Sequence, residues 1–302
     1  MKTKLKNGFT LVELLVVIGI IGLLSAALIA YVPGAVETGR AVKCKANLKN
    51  LSQAVSSYTI SNTGDQDESR LPTAGSFEWK SVDLGNRTLW YHSSAGWVSW
   101  TPGSQWPYPS RDVSMRDSMT ASTFYERNRA ESDPKAFYSI TNGVLWSYLG
   151  KDASVFICDT HKKVVERQLG GRVFRSFVMN RYFGYDDRDD PAAYRRWVHM
   201  DTVAQAGTAS IRLLFAELPG QLGKSIDTST VKGDSVLDPN DSEYIGFNHK
   251  IGKKWVGHVV FADGHVDGLV EPRGANTADL KDLTTQLCNG TEIDANIRVK
   301  MQ

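Results

Sequence analysis

A single carboxylate, Glu13, interrupts a run that is otherwise apolar from Phe9 to Val32, 24 residues with no second charge. A charge at bilayer depth costs about 2.5–3.5 kcal/mol on insertion scales, so a carboxylate there needs a reason, and the chemistry open to it is to neutralise a cation. Phe9 lies four residues upstream, about one helical turn away. The segment Met1–Asn7 before it is short and basic, with Lys2, Lys4 and Lys6 and no acid. The junction between them is Gly8-Phe9, a residue without a side chain followed by a large apolar one.

Three further groups of residues could do chemistry. Cys44, Cys158 and Cys288 allow one bridge and leave at least one thiol over, and spacing alone does not fix the pairing. His249, His258, Asp263, His265 and Asp267 lie close in sequence, but they form no tight ligand motif, and Asp263-Gly264 reads as a hairpin turn. The acidic stretch Asp186-Asp187-Arg188-Asp189-Asp190-Pro191 has oxygen donors for calcium at Asp186, Asp187 and Asp189, although acidic runs before proline are ordinarily solvated loops. A Gly-x-Ser-x-Gly elbow, a glycine-rich phosphate loop and an HExxH pair are all missing, so the expectation is a protein that is not an enzyme. A formal charge of +2 on 302 residues gives no bias toward nucleic acid.

The elements that must position these residues begin with the apolar run. As a helix, 24 residues reach about 36 Å, enough to cross a hydrocarbon core of about 30 Å. The run is too long for the apolar region of a cleaved secretory signal peptide. Lysines on the upstream side keep Met1–Gly8 cytoplasmic and send the remainder across the membrane, where the three cysteines meet an oxidising compartment. Pro33-Gly34 is expected to interrupt the helix. Beyond it, Ala41, Cys44, Leu48, Leu51, Ala54 and Val55 recur at helical spacing, with Arg40, Lys43, Lys45 and Lys49 on the remaining surface. Thr63-Gly64-Asp65 reads as a stop. The expected product is an interrupted rod of about 50 residues, about 75–80 Å long. No heptad persists for three repeats, which argues against a coiled coil.

Residues 64–135 read as a loop-rich insertion containing Trp79, Trp90, Trp97, Trp100 and Trp106. Such tryptophans commonly glue an insertion down, and less often build a sugar-stacking or protein-binding surface. From 136 to 302 the pattern suggests a sheet: a short helix ending at Gly150, a strand at Val155–Cys158, and strands at Val173–Asn180 and Ser210–Glu217. A hairpin at His258–Leu269 is expected to turn through a two-residue type I′ Asp263-Gly264 loop. The expected fold is α+β, a long N-terminal helix packed through its second half on an antiparallel sheet.

The stretch Gly8-Phe9-Thr10-Leu11-Val12-Glu13 with its basic leader resembles the N-terminus of the type IV pilin and type II secretion pseudopilin superfamily. That resemblance implies cleavage between Gly8 and Phe9 by a prepilin peptidase and N-methylation of Phe9. It also implies a salt bridge from Glu13 to the Phe9 amine of the neighbouring subunit during assembly, with Thr10–Val12 as packed spectators. The head motifs Cys44-x-x-Asn47-Leu48-Lys49, Phe156-Ile157-Cys158, Ser176-Phe177-Val178-Met179-Asn180 and Phe261-Ala262-Asp263-Gly264-His265-Val266 look like the large subgroup of prepilin-type proteins with a His-x9-Asp-Gly signature. Here thirteen residues, not nine, separate His249 from Asp263, which suggests a lengthened loop at Ile251–Trp255. Because Cys44 and Cys158 both sit in subgroup motifs, the resemblance points to a disulfide between them. The calcium loop of some major pseudopilins is comparable with Asp186–Asp190 in type only.

Taken together, the resemblance implies a structural subunit of the bacterial inner membrane with a periplasmic head, and no cofactor beyond the calcium considered above. Its partners would be prepilin peptidase, the inner-membrane assembly machinery, and copies of itself and related pilin-like subunits in a helical filament. A type II secretion pseudopilus is the first expectation. A type IV pilus subunit for adhesion or DNA uptake, or a membrane-anchored carbohydrate-binding module, are the alternatives.

Overall fold

The computed structural model describes residues 9–61, 71–72, 78–83, 88–93, 97–98, 108–109, 140, 143–169, 173, 175–183, 200–221, 236–238 and 243–301. The first element, α1 (Leu11–Ser61), is one helix of 51 residues, about 76 Å at the α-helical rise. It runs unbroken through Pro33-Gly34, which corrects the expected interruption. Proline forfeits one backbone bond there, and the helix absorbs that loss with regular structure on both sides.

Among the described residues, only the second half of α1 meets the head. Ala41, Cys44, Leu48, Leu51, Ala54 and Val55 are all buried, as their spacing predicts, while Lys43, Lys45 and Lys49 stay exposed. Every described side chain from Phe9 to Ile29 is exposed, large apolar ones included. This is far more contiguous apolar surface than a soluble monomer leaves uncovered.

Strands β1 (Glu78–Asp83), β2 (Thr88–Ser93) and β3 (Tyr108–Pro109) form a small antiparallel sheet. The main sheet contains β4 (Phe177–Asn180), β5 (Leu213–Glu217), β6 (Val236–Leu237), β7 (His249–Ile251), β8 (Lys254–Phe261) and β9 (Val266–Val270). Its order is β6-β4-β5-β8-β7 with β9 also on β8, and every pairing is antiparallel except β4 with β6. The further α-helices among the described residues are α2 (Asp159–Leu169), α3 (Met200–Gln205), α4 (Thr277–Asn289) and α5 (Ala295–Met301).

Strands β4 and β5 and the second half of β8 are buried on both faces of the sheet. Phe177, Met179, Phe215 and Val260 pack toward α1. Val178, Leu213, Ala216, Val259 and Phe261 pack against Leu280, Leu283 and Leu287 of α4. A register shift between Leu213 and Phe215 lets the strand present Leu214 and Phe215 to the same side. Helix α4 escapes a reading based on apolar runs, yet its start carries a reciprocal capping box between Asn276 and Asp279.

Three local readings are corrected. Val155–Cys158 is not a strand: Ala153–Phe156 forms a 3-10 turn because the Asp152 carboxylate accepts from the Ser154 N–H at 2.8 Å, and Cys158 then leads into α2. The hairpin at Asp263-Gly264 is not a type I′ turn. Gly264 N–H donates to Phe261 O and Phe261 N–H to His265 O, so the loop is Ala262-Asp263-Gly264, with Gly264 alone in the left-handed region (φ 84°). That is the three-residue turn ending in a glycine bulge. Asp263 stays right-handed because its carboxylate is engaged by the His265 N–H at 3.0 Å. Finally, Ile251–Trp255 is not a loop: β7 and β8 turn through Gly252-Lys253 and pair Ile251 with Lys254 and Lys250 with Trp255, so the extra residues lengthen a hairpin.

Trp97 is fully buried, its ring 5.0 Å from that of Phe215 and 6.1 Å from that of Phe156, with the Arg175 guanidinium 5.8 Å over it. At this position the tryptophan serves packing. Trp100 and Trp106 lie outside the described residues, as do the side chains of Trp79 and Trp90.

Candidate functional site

Two places concentrate the chemistry. The first is the start of α1. Glu13 Oε2 accepts from the Thr10 backbone N–H at 2.9 Å and from the Thr10 hydroxyl at 2.8 Å, while the Glu13 N–H donates back to Thr10 Oγ1 at 3.2 Å. Thr10-x-x-Glu13 is therefore a capping box within the single chain. In the isolated chain it holds the carboxylate at the helix tip, beside Phe9. Gly8 lies outside the described residues, as does the acidic run with Asp186, Asp187 and Asp189.

The second place lies under the head, where α1 crosses the sheet. Strands β5 and β7 follow one another along the same edge of β8: Ala216 pairs with Val259 and His249 with Val256, while β9 occupies the other edge. The two strands thus deliver Glu217 and His249 to one junction. Gly257 sits on β8 at that junction, and a Cβ there would overlap the carbonyl of Gly246, so only glycine lets the chains approach this closely.

Cys44 arrives from α1 and Cys158 from the chain entering α2. One turn beyond Cys44, the Asn47 amide donates to Ser154 O at 3.0 Å and to Ile157 O at 2.9 Å, and Lys43 pairs with Asp159 at 2.8 Å. These bonds fix the backbone on both sides of Cys158. All four side chains, Cys44, Cys158, Glu217 and His249, are buried, and their ligand-type atoms lie within 4.8 Å of one another. Cys44 Sγ is 3.0 Å from Glu217 Oε1, Cys158 Sγ is 3.4 Å from His249 Nε2, and His249 Nε2 is 3.4 Å from Glu217 Oε1. The two cysteines paired by resemblance do come together, but as free thiols, both against the Glu217 carboxylate and Cys158 also against His249. Cys288 is buried elsewhere, on the core face of α4.

A second layer holds the first. His249 Nδ1 lies 2.8 Å from Glu37 Oε1, which also accepts from the Thr160 hydroxyl at 2.7 Å. Glu217 accepts from His258 Nδ1 at 2.6 Å, from the His258 backbone N–H at 3.1 Å and from Asn248 at 2.8 Å. Burial opposes charge at Glu37, Cys44, Cys158, Glu217 and His249, and pushes the Cys44 thiol well up. Burial raises Glu217 as well, but bonds from His249 and His258 outweigh it and hold the carboxyl below the usual range. Burial alone would lower His249, yet Cys158, Glu217 and Glu37 push it up to about 12.

Of the histidines and acids that cluster in sequence, only His249 and His258 reach this junction. His258 sits opposite Gly268 and Asp267 opposite Val259, one residue out of step and hence on opposite faces. Asp263 and His265 pair with each other on the exposed turn at 2.6 Å. Sequence reasoning missed Glu217, Glu37 and Thr160. The available signal was Glu217 itself, an acid ending the fully buried strand Leu-Leu-Phe-Ala-Glu, where an ionised carboxylate requires partners.

Helix, exposed apolar half and antiparallel head define a pilin-like α+β protein. Residues 3–29 match the family described as the prokaryotic N-terminal methylation motif, which is the prepilin-type signal of type IV pilins and pseudopilins. Comparisons with curated proteins and with solved structures gave no match. The motif marks the chain as a substrate for prepilin processing, and the 51-residue helix is long and apolar enough to anchor it in a membrane.

Proposed function

We propose that this protein is a prepilin-like structural subunit, cleaved after Gly8, N-methylated on Phe9 and assembled from the inner membrane into a helical filament. The observation that carries this reading is the exposed apolar half of α1, which ends in a capped carboxylate inside the methylation motif. Before assembly, lipid covers that surface; in the filament, the same surface of other subunits replaces the lipid. The Glu13 carboxylate would exchange its Thr10 donors for the Phe9 ammonium of a neighbour, a pairing that fixes register as well as charge. The head, docked only on the second half of α1, stays clear of the packed rods and coats the outside.

Between systems we favour a type II secretion pseudopilus, on the resemblance of the head motifs to the prepilin-type subgroup. A surface pilus is distinguished by phenotype, since losing a pseudopilin stops release of secreted enzymes while losing a pilin removes adhesion or DNA uptake. The proposal is tested by blocking the leader. A Gly8→Asp chain should accumulate at full length in the membrane fraction and be missing from sheared filaments. Wild-type amounts of uncleaved chain in filaments would overturn the reading.

A further inference from the structure

We propose that Cys44, Cys158, Glu217 and His249 form a closed structural Zn2+ site that clamps the head onto α1. The donors suit that ion: two sulfurs, an imidazole nitrogen and a carboxylate oxygen, a set that selects zinc over the oxygen-seeking magnesium and calcium. The spacing suits it as well. With bonds of about 2.3 Å to sulfur and about 2.0–2.1 Å to nitrogen and oxygen, the edges of a tetrahedron are about 3.3–3.8 Å. The sulfur–nitrogen and nitrogen–oxygen separations here are both 3.4 Å, all four donor atoms lie within 4.8 Å, and Cys44 Sγ and Glu217 Oε1, 3.0 Å apart, would open by about half an ångström around the ion.

The surroundings are those of a ligand set. A zinc-bound histidine ordinarily gives its other ring N–H to a carboxylate, which fixes the tautomer and ring orientation. Here Glu37 Oε1 stands 2.8 Å from His249 Nδ1, leaving Nε2 for the metal, and the Thr160 hydroxyl and Arg40 hold Glu37 in place at 2.7 and 3.4 Å. His258 and Asn248 orient Glu217 in the same way. All four donors come from the protein and all are buried, which leaves no open position for substrate and makes the site structural rather than catalytic. A Cys44–Cys158 disulfide would consume both thiols and leave Glu217 and His249 buried without their sulfur partners.

The four ligands come from four separate segments: α1, the entry to α2, the end of β5 and the start of β7. One ion therefore joins the helix that enters the filament to three parts of the head. It sits in the second half of α1, well past the exposed apolar half.

The test uses the full-length protein purified in detergent. Elemental analysis should find about one zinc ion per chain, and Co2+ exchanged into the site should show a thiolate-to-cobalt charge-transfer band with the visible bands of tetrahedral cobalt. Cys44→Ser and His249→Ala should each lose the ion, Cys288→Ser should keep it, and Glu37→Gln should weaken zinc binding about 10–100-fold. The wild-type cobalt spectrum decides alone where a variant fails to fold. Wild-type protein that takes up neither metal from excess would overturn the proposal, as would a Cys44–Cys158 disulfide found by peptide mass spectrometry. Neither outcome would bear on processing at Gly8 or on filament assembly.

Discussion

Replacing Glu13 by alanine should leave the chain in the membrane and remove it from the filament. Insertion needs no carboxylate, and deleting a charge from the apolar run relieves a penalty of about 2.5–3.5 kcal/mol. Assembly is different on the function proposed above, because a processed chain would begin with an ammonium at Phe9 that would have to be carried out of lipid and packed among apolar helices. Removing one partner of a buried pair costs about 3–5 kcal/mol, because the other charge stays buried and uncompensated. At about 1.4 kcal/mol per factor of ten, this is two to three and a half powers of ten at each subunit contact. The variant also forfeits the capping box with Thr10, but that loss is local to the helix tip. Immunoblots of membrane and sheared-filament fractions should therefore show normal membrane levels and no filament signal. Wild-type filament yield from Glu13→Ala would remove the carboxylate from the mechanism.

The second large effect is expected at Trp97. Its indole fills the space between Phe156 and Phe215, and the surrounding core includes Leu48, Leu51 and Val55 of α1. Trp97→Ala would empty that space and unstack the Arg175 guanidinium. A truncation of this kind costs about 3–5 kcal/mol. For a domain of this size each kcal/mol lowers Tm by about 2–4 °C, so a drop of about 6–20 °C is expected in thermal unfolding followed by circular dichroism. A shift below about 2 °C would show that Trp97 is not part of the core that ties the insertion to the head.

What the sequence reveals depends on how local the signal is. The processing motif is one short stretch, Gly8 to Glu13, and the residue types carry it directly. The buried face of α1 is equally legible, because a 3.6-residue period writes Ala41, Cys44, Leu48, Leu51, Ala54 and Val55 into the chain. Strands β4, β5 and β8 announce themselves as apolar runs. Val155-Phe156-Ile157 looks the same, yet the Asp152 side chain captures a backbone N–H and bends the chain into a 3-10 turn. Hairpin type was lost in a similar way, to the Asp263 carboxylate.

The buried cluster could not be read in this way. Its members stand at positions 37, 44, 158, 217 and 249, and they meet only because β5 and β7 share an edge of β8 beneath the crossing of α1. No spacing rule spans those separations. Cys44 and Cys158 came within reach through their motifs, but the chemistry joining them depends on Glu217 and His249, which only the fold supplies.

The central claim is that a prepilin-type leader is removed to expose Phe9 beside Glu13, and it is tested most directly at the N-terminus of the protein recovered from filaments. Tandem mass spectrometry of the first peptide should read N-methylphenylalanine followed by Thr10-Leu11-Val12-Glu13. A filament peptide that still begins at Met1 would contradict the account.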